Sequence, residues 1–291
     1  MGNLRITNKI LANGYLTDLN RNLENMSKLQ EQMSSGKEIC RPSDDPFKVA
    51  RTMELTEDIS INERYAKNID EGIGWLNSVE SSMGLMTEAL QTIREKTVAG
   101  GNDPNSATER KAISDEIKAL KDTIVNLGNT VFDGRYIFGG DKTTEPPFTI
   151  EAGKVVYKGS PNGIIRELAP GVRIDIGVIG NNFMGVFETI DKITDDLDHD
   201  KSSSEYLGEL DTNMDNVMRM RSEEGAKWQR LNDMKKKNGE ENFNMTELLS
   251  KTSDIDVAEK YMNFKMAESV YIASLESASK ILQPSLLDFL R

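Results

Sequence analysis

Apolar residues along this chain recur mostly at spacings of three and four, in long stretches separated by short polar turns. One central stretch instead alternates with a period of two. The first long stretch is Ala12, Leu16, Leu19, Leu23, Met26 and Met33, with polar Gln30 at the skipped position. This heptad pattern marks a helix whose seam needs a second helix. It predicts a helix that ends near Ser34-Ser35-Gly36. Arg41-Pro42-Ser43-Asp44-Asp45-Pro46 then reads as a turn opening the next helix. Ser43 is the expected cap, Asp44 and Asp45 sit where a helix N-terminus favours negative charge, and Pro46 falls where a missing N–H costs nothing.

The second helix is expected to run to about Ala99, with Leu76, Val79, Met83, Met86, Leu90 and Ile93 on its seam. Gly72 and Gly74 are poor helix formers and predict a bend or break there. Gly100-Gly101-Asn102-Asp103-Pro104 closes this helix. A third helix carries Ile113, Ile117, Leu120, Ile124, Leu127 and Val131. Short links between long amphipathic helices imply antiparallel neighbours in a bundle.

From Phe132 to about Gly185 the chain reads as turns and short strands. Val155-Val156-Tyr157 leads to Ser160-Pro161-Asn162-Gly163 and then Ile164 and Ile165, and Asn-Gly is a strong hairpin signal. Val172, Ile174 and Ile176 alternate with Arg173 and Asp175, as in a half-buried strand. Helical spacing resumes near Val186, and Leu207, Leu210, Met214, Val217, Trp228 and Leu231 keep one heptad phase. The polar run Lys235 to Asn244 reads as a loop. Ser253 is the expected cap of a last helix, with Asp256 completing a variant capping box. Its apolar face is Tyr261, Phe264, Tyr271, Leu275, Ala278, Leu282 and Phe289, and Pro284 should kink or end it.

The fold class that follows is mainly α: an elongated antiparallel helical bundle or coiled coil formed by N- and C-terminal arms, with a small β insertion. The expected division is a terminal coiled-coil region at 1–33 and 255–291, a helical rod at 34–138 and 186–254, and an outward β domain at 139–185. That β domain should tolerate replacement without loss of the rod. A single amphipathic helix at each chain end cannot bury its own seam, so the two should pair with each other or with neighbouring subunits. The expected assembly interface is Leu16, Leu19, Leu23, Met26 and Met33 with Tyr261, Phe264, Tyr271, Leu275, Leu282 and Phe289.

Composition narrows the function classes. The 291 residues include 48 acids and 36 bases, a formal net charge of -12, which disfavours nucleic acid or an anionic membrane surface as a main partner. No stretch approaches the ~20 apolar residues of a membrane span, so membrane insertion is not expected. Aromatic residues are 6%, so the core must be mostly aliphatic. The single cysteine, Cys40, leaves no disulfide within these residues. The first residues lack an apolar signal-peptide segment, so export would need another route.

Catalytic and metal readings find little support. With one histidine, His199, a two-histidine zinc motif cannot be built, and a Cys40–His199 dyad would require two distant segments to meet. Asp196-Leu197-Asp198-His199-Asp200 imitates the start of a calcium loop, but Lys201 and Leu207 stand where that loop needs Gly and Glu. No cofactor, catalytic residue or metal ligand is assigned. Of the 14 methionines, Met83 and Met86 suit the core, whereas Met26 and Met33 suit an adaptable interface.

Several motifs together resemble the flagellin superfamily. They are Ile6-Thr7-Asn8 before the heptad helix, Met33-Ser34-Ser35-Gly36-Lys37, Arg41 to Pro46, and Asp133-Gly134-Arg135-Tyr136-Ile137-Phe138-Gly139-Gly140 with Pro147-Phe148. At the far end, Ser253-Asp254-Ile255-Asp256-Val257-Ala258 and Leu286 to Leu290 are similar to the family's C-terminal region. The resemblance implies a structural, non-enzymatic flagellar subunit, exported unfolded through the flagellum and extracellular. Its implied partners are copies of itself in a ring, a neighbouring hook-associated protein, flagellin, and an export chaperone at the C-terminal helix. Tyr136 to Gly140 and the Leu287 to Leu290 ending look closer to a subunit joining hook to filament than to a filament subunit. A filament subunit and an intracellular coiled-coil interaction protein stand as the alternatives.

Overall fold

The computed structural model describes residues 8–101 and 106–281. Helix α1 spans Asn8–Ser35, α2 Pro46–Gly100 and α3 Ala107–Gly128. Six short strands follow: β1 Val131–Phe132, β2 Arg135–Tyr136, β3 Phe148–Glu151, β4 Lys154–Tyr157, β5 Ile165–Ala169 and β6 Val172–Asp175. They pair only as neighbours, into three antiparallel two-stranded ladders. Helices α4 (Met184–Asp198), α5 (Leu207–Ser253) and α6 (Val257–Ile281) complete the described chain. Two compact units result, one from residues 1–60 and 243–291, the other from residues 61–242.

The 61–242 unit holds the hydrophobic core. In α2, Ile69, Leu76, Met83 and Leu90 recur every seven residues, with Val79, Met86 and Ile93 between them, and all are almost fully buried. Ile117 and Ile124 of α3, Ile190 and Ile193 of α4, and Leu210, Val217 and Leu231 of α5 belong to the same cluster. Helix α3 is opened by Ser106, whose hydroxyl accepts from the Glu109 amide while the Glu109 carboxylate accepts from the Ser106 amide.

Several sequence expectations need correction. Helix α2 runs unbroken through Gly72 and Gly74. A Cβ on Gly72 would lie 3.2 Å from the Leu231 side chain, and one on Gly74 would lie 2.9 Å from the Phe132 ring. These glycines admit close neighbours, and the packed helix absorbs their poor propensity. The run 235–244 is not a loop but part of α5. Asn238 donates to the Asn62 backbone and side-chain oxygens, and Lys235 pairs with Asp70, so the polar stretch is anchored to α2.

The expected caps also move. Asp45 Oδ1 accepts from the amides of Phe47 and Lys48, both at 3.1 Å, so Asp45 rather than Ser43 caps α2. Asp44 instead binds Lys28 at 2.9 Å and accepts from the Arg41 amide. Ser253 closes α5, and Asp256 caps α6 by accepting from the Ala258 and Glu259 amides.

The hairpin turns lie elsewhere than at Asn162-Gly163. Strand β4 turns back from β3 at Ala152-Gly153, both with positive φ, and β6 turns back from β5 at Pro170-Gly171. Asn162 lies in the β4–β5 connection, where its carbonyl accepts from the Asp141 amide at 3.0 Å.

The β segment shares its core with the helices. Phe148, Val155, Leu168, Ile174 and Ile176 are buried in the same cluster as the α2 seam. A Cβ on Gly128 of α3 would lie 2.6 Å from the Phe148 ring, and that ring packs on Phe187 of α4 at 5.5 Å between centroids. The expected tolerance of 139–185 to replacement therefore does not follow.

Candidate assembly interface

In the unit formed by the chain ends, α1 and α6 pack side by side. Their direction is antiparallel, because Tyr15 near the start of α1 donates to the Ser274 carbonyl near the end of α6. At the other end, Lys37 forms an isolated antiparallel bridge with Asp254. Glu38 N donates to Ser253 O at 2.7 Å, and Ile255 N donates to Gly36 O at 3.1 Å. Lys37 Nζ reaches Asp254 Oδ1 at 2.7 Å and Ser253 Oγ at 3.1 Å. The α1–α2 and α5–α6 connections thus clasp each other. Gly36, with φ +71°, makes the turn out of α1. The Lys37 ammonium, helped by Ser250 and Ser253, holds the Asp254 carboxyl below the usual aspartate range.

The anticipated interface residues divide into two sets. Leu19, Met26 and Met33 of α1 and Phe264 and Tyr271 of α6 are half-buried. Leu16 and Leu23 of α1 and Tyr261 and Leu275 of α6 are exposed. Leu282 and Phe289 lie outside the described residues. The half-buried side of α1 runs through Tyr15, Leu19, Asn22, Met26, Leu29 and Met33, again at three-and-four spacing. Asn22 interrupts that apolar pattern, whereas Leu16 and Leu23 extend the apolar stripe onto the open flank. Lys260, Phe264, Ala267, Tyr271 and Ser274 form the corresponding half-buried line on α6.

What remains uncovered is mostly apolar. On α6, Val257, Tyr261, Ile272 and Leu275 lie on one flank of the half-buried line, and Met262, Met266 and Val270 lie on another. Exposed Glu259, Lys265, Ser269 and Glu276 break this surface, but apolar flanks on both sides of a covered line are more than one neighbouring helix buries. Phe47, Met53, Phe243 and Leu248 are also exposed in this unit. Leu55 is its only fully buried hydrophobic residue among those described. Of the 21 exposed large hydrophobic residues described, 14 belong to this unit, so it has the surface of an interface without a core of its own.

No comparable chemical site is formed. Among the described residues no group of three or more His, Cys, Asp or Glu is placed to hold a metal, and no helix is long and apolar enough to cross a membrane. The acids of the 196–200 run have structural partners: Asp198 binds Lys118, and Asp200 receives Arg110 through its carbonyl and its carboxylate. Leu197 is buried. His199 Nδ1 lies against the Asp195 carbonyl, and Cys40 Sγ lies 3.2 Å from Ser35 Oγ.

The bacterial flagellin N-terminal helical region matches residues 6–143. Flagellar hook-associated protein 3 of Salmonella typhimurium is 30% identical over 178 residues, covering 61% of this chain and 56% of that protein. The chain thus spans little more than half of that relative's length. A flagellin of Bacillus subtilis is 26% identical over 280 residues, 90% of each chain. The crystal structure of Bacillus cereus FlgL superposes with a TM-score of 0.60 at 24% identity, covering 68% of this chain and 99% of that one. Residues 6–143 are thus similar to the bacterial flagellin N-terminal helical region, and over about two-thirds of the chain the fold is similar to that of the hook-associated protein 3 structures.

Proposed function

We propose that this protein is a non-enzymatic structural subunit of the bacterial flagellum that joins hook to filament. Copies of it assemble into a ring, with a neighbouring hook-associated protein on one side and flagellin on the other. The terminal segments 1–33 and 255–291 carry the assembly contacts, and export proceeds through the flagellar secretion apparatus with a chaperone at the C-terminal helix. The observation that carries this reading is the unit at the chain ends, a helical hairpin with almost no core and apolar flanks on both helices. Burying one leucine is worth about 1.5–3 kcal/mol, so a few such contacts repeated around a ring decide whether assembly occurs. A filament subunit is the second reading, favoured by the alignment across 90% of the Bacillus subtilis flagellin.

Deletion of the gene followed by electron microscopy separates the readings. Hooks without filaments, with flagellin shed into the medium, are the expected result. Immunogold label confined to the hook–filament boundary distinguishes a junction subunit from a filament subunit, which would be labelled along its length. Intact filaments on deleted cells would overturn the proposal.

A further inference from the structure

Within the 61–242 unit, α2 and α5 enclose a niche of about 350 Å³ lined by Leu76, Asn77, Glu80, Glu224, Gly225 and Trp228. Space remains there because residue 225 has no side chain, and a Cβ built on it would meet no atom within 4 Å. Leu76 is buried, whereas Trp228 keeps 38% of its surface exposed. Glu224 occupies a seam position of α5, between Val217 and Leu231, and is only 6% exposed. Its Oε1 accepts from Lys227 Nζ at 2.9 Å, but its buried Oε2 has no hydrogen-bond partner. A buried polar oxygen left unpaired is costly. Burial first, then the like charges of Asp175 and Glu223, push this carboxyl above the usual glutamate range, against the pull of Lys227.

The local cations are already engaged. Lys227 is bound to the other oxygen of Glu224, and Arg221 binds both carboxylate oxygens of Glu80 and reaches Thr87 Oγ1 at 3.4 Å. The niche therefore sets a carboxylate whose sealed Oε2 has no donor beside an accessible indole and an apolar wall, and a donor entering the niche reaches that oxygen once the Glu224 side chain turns toward it. Their complement is a long apolar stem ending in cationic N–H donors.

We propose that this niche is a socket for an arginine or lysine side chain of a second copy of this chain. The inference rests on the assembly reading above and names one contact through which copies join. Suitable plugs exist on the chain itself: Arg135 beside the β1–β2 turn and Arg173 on β6 are exposed. Neither side chain has a hydrogen-bond or ion-pair partner among the described residues. A socket between α2 and α5 filled by a guanidinium from elsewhere on the surface is a heterologous contact. Such contacts build rings or open helical arrays, whereas isologous ones close two-fold pairs.

The test places a photoreactive benzophenone amino acid at position 225 of the full chain, irradiates intact flagella and identifies the joined peptides by mass spectrometry. The expected product links position 225 to a peptide of a second copy near an arginine or lysine. Glu224→Gln, which keeps the shape but removes the charge, should cut its yield roughly tenfold or more, as loss of a charged hydrogen bond does. An incorporated chain that links only to a different protein, or to nothing, overturns the proposal, as does a yield unmoved by Glu224→Gln. Should the bulky group block incorporation, Glu224→Gln and Trp228→Ala are compared with the parent chain for level in sheared flagella. A roughly tenfold fall with unchanged melting supports the socket, and undiminished incorporation of both variants overturns it. Absence of the unsubstituted parent from flagella would sink the assembly reading itself, and is seen before any variant is read.

Discussion

At the scale of single residues, polar side chains in apolar seams carry much of the specificity. Asn62 stands one heptad after Leu55 and one before Ile69 on α2, and it is 7% exposed. It donates to the Asn238 carbonyl at 3.0 Å, while Asn238 donates to the Asn62 carbonyl at 3.1 Å. Such a pair fixes the register of two helices that aliphatic residues alone would let slide. Replacing Asn62 by Ala should lower stability by about 0.5–1.5 kcal/mol, because both bonds of the Asn62 amide are lost and Asn238 Nδ2 keeps only the backbone carbonyl of residue 62. The double replacement Asn62→Leu with Asn238→Leu should cost less than the sum of the two singles in denaturant melts. Strict additivity would mean that the amides act independently.

Asp254 gives a second residue-scale test. Its folded-state pKa lies below the ordinary aspartate value, chiefly through Lys37. Its contribution to the clasp is therefore present above the unfolded pKa and is lost as pH falls through the folded one. The Asp254 side chain is 41% exposed, so solvent weakens the pair. Asp254→Asn should speed hydrogen exchange at the Glu38 and Ile255 amides near neutral pH. That difference from the parent should close once the pH drops below the usual carboxylate range. A difference independent of pH would show that the clasp does not depend on this charge.

At the scale of elements, the two helix types answer to different partners. Over the part of α2 within the 61–242 unit the seam is filled from several sides, whereas α1 and α6 cover only one side of each other. Ile117→Asp, which places a charge at a fully buried site of α3, should unfold that unit. Leu19→Asp should leave the main melting transition nearly unchanged, loosen the α1–α6 pair and abolish incorporation into flagella. Leu16→Asp, on the open flank at 52% exposure, should block incorporation while leaving even the α1–α6 pair intact by circular dichroism. If Leu16→Asp assembles normally, that flank is not a subunit contact.

At the scale of the whole molecule, the strands belong to the helical core. Replacing 139–185 by a Gly-Ser linker removes Phe148, Leu168, Ile174 and Ile176 from the shared cluster. Loss of a single large core side chain costs about 2–5 kcal/mol, comparable with much of a domain's stability. The cooperative melt of the 61–242 unit should therefore be lost, and a preserved melt would show that the helices hold without the strands.

The alternation of periods along the sequence determined most of the helical segments, the stretch in which strands interrupt them, and that the chain-end helices need partners. Those features depend on spacing within a dozen residues, which local sequence records directly. Only the tertiary structure decided that Gly72 and Gly74 leave α2 unbroken, that the polar 235–244 run stays helical, and which apolar positions of α1 meet α6. Each depends on a residue far along the chain: Leu231 and Phe132 closing on the glycines, Asn62 and Asp70 anchoring the polar run, and α6 packing on an α1 whose Leu19 and Met26 are half-buried while Leu16 and Leu23 stay exposed. Local spacing identifies an apolar stripe. Its division into a covered line and an open flank is set by the position of the second helix, because the stripe is wider than one neighbour can bury.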